Sequence, residues 1–228
     1  MSSDCRLGAR SPLTLALTRS LARPGEAFQN ATQIDCVVFD KTGTLTRGEF
    51  TVSAHHVFPS PTSVALAPAT LFALVAAVED ASAHPISIGI KAFCRAQAAP
   101  SEPVRLGKSE EIPGRGLAAT VQVGSASLEV LVGNQRLLDD RDATYAPGGL
   151  GEALALAERW ASTGSSVVFV AVRAVVAGAS PPAPAPFVLV AQFAVHDPPR
   201  DEAPLVIAEL ERQRIAVFLC TGDNATTA

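Results

Sequence analysis

The sequence predicts an α/β protein in two parts: strands of the parallel-sheet kind, and an inserted α+β part built on an antiparallel sheet. Three observations carry this. The apolar, β-branched run at 34–39 stops at Asp40 and a Thr/Gly turn, as a strand buried in a parallel sheet does. A second apolar run, 215–219, ends in a similar turn, Thr221-Gly222-Asp223. Between them, helical periodicity at 69–80 gives way to alternating strand patterns and a hairpin within 164–193, the mixture expected of an α+β unit. The expected organisation is a linker at 1–33, a first part made of 34–47 and 195–228, and an inserted part at 48–194.

Composition bounds the function. At 228 residues, with 48% hydrophobic and 18% charged residues, the chain can bury a sizeable core and is not disordered. A net charge of −4 gives no electrostatic case for a nucleic-acid partner or an anionic membrane surface. The four cysteines include no C-x-x-C pair, which argues against a disulfide framework or structural zinc and suits a reducing cytosol. No run reaches the roughly 18 apolar residues of a bilayer span. The polar start lacks the apolar core of a signal peptide, so the chain as given is expected to be soluble.

Taken in order, 12–21 reads as a short helix ending before Pro24-Gly25. The strand at 34–39 then presents Asp40 where open α/β sheets hold their ligands. Gly43 relieves a tight turn, while Thr42, Thr44 and free N–H groups suit phosphate oxygens. An Asp-led turn would by itself account for this stretch. The helix at 69–80 has Leu71, Leu74, Val75 and Val78 on one face and delivers Glu79. His84-Pro85 then opens a second helix, with Pro85 in its first turn and Ser82 or Ala83 in capping reach. Alone, His84 reads as a capping or packing histidine.

Gly114-Arg115-Gly116 is a turn feeding the alternating strand 119–123, and taken alone is a hairpin or bulge. Asn134 follows a strand as a left-handed or Asx-turn residue. The pattern at 150–160 is an amphipathic helix with Leu154, Leu156, Ala157 and Trp160 toward a core. Strands 164–172 and 187–193 pair as a hairpin across a Pro/Ala-rich loop at 177–186, read as an insertion without function. A helix at 202–212 leads to the buried strand at 215–219, whose terminal Thr221 and Asp223 would alone be a turn.

Asp40-Lys41-Thr42-Gly43-Thr44-Leu45-Thr46 is similar to the phosphorylation signature of the P-type ATPases. The ordered set Glu79, Ser82-x-His84-Pro85, Gly114-x-Gly116 and Gly133-Asn134 resembles the nucleotide domain of the heavy-metal, copper-type members. Cys5, Leu7, Gly8, Ser11 and Pro12 are similar to the stretch just after their membrane Cys-Pro-Cys motif, with Asp4 in place of its proline; no ion site is carried over. The resemblance implies a partial haloacid-dehalogenase-like Rossmannoid phosphorylation domain, split by an antiparallel-sheet nucleotide-binding domain.

It also implies roles. Asp40 is the nucleophile that forms an aspartyl phosphate, and Lys41, Thr42 and Thr44 line its site. Related phosphatases carry a second Asp where Thr42 stands; a threonine cannot shuttle a proton at neutral pH, so the acyl phosphate would persist. Thr221 and Asp223 support the phosphate, and Mg2+ is held by Asp40 with the Thr42 carbonyl. Glu79, His84, Gly114, Gly116 and Asn134 hold ATP. In the intact family the further partners are a membrane domain and a transported heavy-metal ion, copper by analogy with His-Pro pumps although some of these move zinc or cadmium, with this region on the cytosolic side. The family's later phosphate-neutralising Lys and G-D-G-x-N-D motif are not in this sequence. The expectation is therefore a fragment that transports nothing by itself and phosphorylates poorly or not at all. Two rivals stay open: a non-catalytic nucleotide-binding module, and a soluble phosphatase of the same superfamily.

Overall fold

The computed structural model describes residues 33–59, 66–100, 102–146, 149–175 and 185–220. Its elements in chain order are β1 (Cys36–Asp40), β2 (Thr51–Val57), α1 (Pro68–Glu79), α2 (Pro85–Gln97), β3 (Val104–Ile112), β4 (Gly116–Val123), β5 (Ala126–Gly133), α3 (Gln135–Asp139), α4 (Gly149–Ala161), β6 (Ser166–Ala174), β7 (Val188–His196), α5 (Ala203–Arg212) and β8 (Ala216–Cys220). The helix expected at 12–21, the segment around Cys5, most of the Pro/Ala-rich loop, and Thr221 and Asp223 lie outside the described residues. Among the described residues no helix is long and apolar enough to cross a membrane.

The chain divides into two units, one of residues up to 39 with 204–219, the other chiefly of residues 40–203. The larger is an antiparallel sheet in the order β2-β7-β6-β5-β4-β3. Period-two alternation splits its apolar residues between two faces. Val130 and Val132 join Val121, Val170 and Phe193 under α1 and α2, whereas Leu131 joins Phe169, Ala171 and Leu189 beneath α3 and α4. Pro68 and Pro85 open α1 and α2 at positions where no N–H is needed. α1 carries Thr70 and is otherwise apolar until Glu79, with Leu71, Leu74, Val75 and Val78 all buried.

Two details depart from expectation. In α4 the core position is Ala153, fully buried, while Leu154 is 38% exposed. The sheet surface beneath this helix already carries Phe169, Leu189 and the amide of Gln192, which leaves room for a methyl group only. Gln192 itself is fully buried; its Nε2 donates to the Ala153 carbonyl at 3.1 Å, and its Oε1 has no partner among the described residues. An orphaned buried acceptor costs about 1–3 kcal/mol. Gln192→Leu is therefore expected to stabilise the unit by about 1 kcal/mol, raising the melting midpoint by about 2–4 °C. A fall in the midpoint would mean that the bond to Ala153 outweighs the orphan.

In the smaller unit β1 pairs with β8. The expected burial of these strands is not observed: Val38 is 61% exposed, Phe218 57% and Leu219 43%. A two-stranded sheet has too few neighbours to cover both faces, and α5 has no buried residue.

Candidate functional site

The loop after β1 owes its shape to side chains far along the sequence. Asp40 is exposed and extended (φ −73°, ψ 142°), and Gly43 takes φ +76°, a left-handed conformation in which a side chain is strained. The buried Thr46 hydroxyl accepts from the Gly43 N–H at 3.0 Å and donates to Asp197 Oδ2 at 2.6 Å. Asp197 Oδ1 in turn accepts from the N–H groups of Gly48 (2.9 Å) and Glu49 (3.2 Å). Arg200 spans the loop: Nε donates to the Thr44 carbonyl and Nη2 to that of Gly43, both at 3.0 Å, while its backbone N–H reaches the Leu45 carbonyl. Arg47 pairs with Asp201 at 2.7 Å. Sequence reasoning singles out no residue of His196-Asp197-Pro198-Pro199-Arg200 for this role. Its signal in the sequence is a carboxylate and a guanidinium bracketing two prolines of fixed φ.

These bonds also decide which loop oxygens are open. The carbonyls of Lys41, Gly43, Thr44 and Leu45 all accept within the protein. That of Thr42 is not among them, and it stands two residues from the Asp40 carboxylate. Hard oxygen donors of this kind suit Mg2+, which binds through one or two carboxylates and keeps several waters.

A second feature is a cleft of about 1230 Å³ at the ends of β3 to β6, and it gathers Glu79, His84, Gly114, Gly116 and Asn134. None of the loop residues 40–46 lines it. His84 is the N-cap of α2: its Nδ1 accepts from the Ile86 N–H at 3.2 Å, and its own N–H donates to Ser82 Oγ at 3.1 Å. The histidine is thus the cap, in place of the Ser82 or Ala83 expected there. With Nδ1 as acceptor, a neutral ring carries its proton on Nε2.

Glu79 is 3% exposed, and its Oε2 has no partner among the described residues. Burial pushes its pKa up, against the opposing pull of the Ser87 hydroxyl and the Lys91 charge.

The glycines of the Gly-x-Gly turn differ. Gly114 (φ +69°) faces open space, but a Cβ on Gly116 (φ +143°) would lie 2.2 Å from the Val132 carbonyl oxygen. Gly116 therefore admits the neighbouring strand. Asn134 is extended (φ −80°, ψ 171°) rather than left-handed. Its Oδ1 caps α3 by accepting from the Leu137 N–H, and its Nδ2 donates to the Gly114 carbonyl at 2.9 Å. Both polar ends of Asn134 are thus spent on tying the turn to the end of β5. Arg115, between the two glycines, pairs through Nε with Asp140 at 2.8 Å. Ser87, Arg115 and Arg136 also line the cleft; sequence reasoning did not single them out.

A model of the haloacid dehalogenase-like hydrolases matches residues 34–228. The copper-exporting P-type ATPase of Vibrio cholerae is 28% identical over the whole of this chain and 22% of its own length. That of Staphylococcus aureus is 27% identical over the whole chain and 25% of its own. The chain thus spans about a quarter of the length of the curated relatives it matches. Among solved structures, a zinc-transporting PIB-type ATPase in the E2.Pi state superposes with a TM-score of 0.50 at 26% identity, over 85% of this chain and 26% of the other. The catalytic CPx-ATPase domain CopB-B gives a TM-score of 0.53 at 20% identity, over 95% and 64%, a likeness of fold.

Proposed function

Since the chain belongs to the haloacid dehalogenase-like hydrolases, we propose that it is the ATP-binding and phosphoryl-accepting region of a copper-exporting P-type ATPase. The observation that carries this is Asp40, exposed at the end of β1 and followed by a loop whose carbonyls Arg200 fixes. Its carboxylate oxygen attacks the γ-phosphorus of ATP, the bond to the bridging oxygen breaks, and ADP leaves. Thr42 stands where a second carboxylate would activate water, so the aspartyl phosphate is slow to hydrolyse. Asp40 and the Thr42 carbonyl would hold Mg2+, which would supply positive charge against the phosphate oxygens. Thr221 and Asp223 complete the phosphate site in this reading. The nucleotide lies in the cleft, between the His84 Nε2–H, the carboxyl of Glu79 and the backbone of Gly114 and Gly116. Asn134 acts by holding that turn.

Calorimetric titration of the chain with Mg-ATP tests the reading, beside His84→Ala and His84→Asn. Alanine removes the cap, which costs about 1 kcal/mol, whereas asparagine restores it. Both variants are expected to lose at least about tenfold in ATP affinity, the equivalent of about 1.4 kcal/mol, with only alanine lowering the melting midpoint. Wild-type affinity in either variant, or no binding by the wild type, would defeat the proposal.

A further inference from the structure

The two guanidinium groups that line the cleft stand at one corner of it. Its lining includes four carboxylates, Glu79, Glu111, Asp139 and Glu158, and two guanidinium groups, Arg115 and Arg136. Glu111, at the end of β3, and Asp139, on α3, flank the two arginines, so a polyphosphate would be held there by direct guanidinium contacts rather than by net charge. Both arginines lie on one corner, Arg115 in the turn between β3 and β4 and Arg136 on α3 directly after β5. The Asn134 N–H donates to the Arg115 carbonyl at 2.9 Å, and the Asn134 side chain ties the same corner at the Gly114 carbonyl. The two cations therefore stand on one hydrogen-bonded backbone junction.

They are also prepared differently. Arg136 is exposed and makes no ion pair among the described residues, so its charge is uncompensated. Arg115 is paired with Asp140 through Nε at 2.8 Å. A guanidinium held in that way keeps a two-pronged edge for oxyanions.

Resting on the nucleotide reading above, we infer that Arg115 and Arg136 bind the polyphosphate of the nucleotide, with Asp140 as the positioning residue that aims Arg115.

The test measures the affinities of the full chain for ATP, AMP and adenosine, for wild type, Arg115→Met, Arg136→Met, the double variant and Asp140→Asn. Each methionine is expected to weaken ATP about 5–10-fold, the loss of one charge-assisted contact at a part-exposed site. Adenosine affinity should change less than about twofold, so the ATP-to-adenosine ratio falls, approaching one in the double variant. Asp140→Asn should lower the same ratio about 2–3-fold by loosening Arg115. Wild-type ATP binding should weaken with added salt more steeply than that of the double variant. An unchanged ratio in the double variant overturns this inference and leaves the nucleotide reading standing. Equal losses for ATP and adenosine also overturn it, since they mark a structural role. Absence of nucleotide binding by the wild type overturns the proposed function and this inference with it.

Discussion

Gly116→Ala is expected to destabilise the sheet unit by about 3–4 kcal/mol, among the larger single-residue losses. The added Cβ would meet the Val132 carbonyl oxygen at 2.2 Å and the Gly133 Cα at 2.5 Å, and both are backbone atoms of the paired strand. The residue also sits at φ +143°, which an alanine rarely adopts. Relief would require β4 and β5 to part where the cleft begins. Gly114→Ala supplies the comparison: it has φ +69° and nothing within 4 Å. Only the left-handed cost remains there, about 1–2 kcal/mol. Urea unfolding of the two variants should show Gly116→Ala as clearly the worse. Equal losses would mean that the close approach of the strands is readily relaxed.

Asp197→Ala is expected to cost about 2–3 kcal/mol and to loosen the loop after β1. One carboxylate serves the Thr46 hydroxyl and the N–H groups of Gly48 and Glu49. The two N–H groups are exposed and can turn to water, whereas the buried Thr46 hydroxyl is left with the Lys41 carbonyl, at 3.1 Å, as its acceptor. Asp197→Asn keeps one acceptor oxygen and should lose about half as much. Amide hydrogen exchange at Gly43, Gly48 and Glu49 reads the effect directly, since Gly43 is tethered through the Thr46 hydroxyl. Unchanged protection at all three in Asp197→Ala would show that the carboxylate does not organise the loop.

Some of this was legible in the sequence and some was not, for physical reasons. The near-continuous apolar runs at 164–172 and 187–193 predict the β6–β7 pairing because the Pro/Ala-rich stretch between them cannot continue a ladder and must turn the chain back. The spacing of Leu71, Leu74, Val75 and Val78 predicts α1 because it puts all four on one helical face. Composition could not tell that the apolar residues of β8 lie exposed, since a run of Val, Phe and Leu states a wish for cover and not its supply. Leu154 and Ala153 exchange places because helix periodicity fixes a face only to within about one residue, and the size of the neighbours decides the rest. Asn134 is similar: a short polar residue after a strand fits a left-handed turn or an N-cap equally well, and the helix after it selects the cap. The grip of Asp197 and Arg200 on the loop was hidden because its partners lie about 150 residues apart, beyond any local pattern. By contrast, the five residues that the resemblance names for the nucleotide line one cleft.

The bond between Thr46 and Asp197 has a consequence for inheritance. It joins residues 151 positions apart at 2.6 Å, so the stretch between Thr46 and Asp197 begins and ends at one place. Such a segment behaves as a cassette. It can lengthen, shrink or be exchanged for another without moving the two ends that frame Asp40, because closing a longer excursion adds little entropy once its mouth is bonded shut. The residues that close it are then constrained by the host strand and its chemistry.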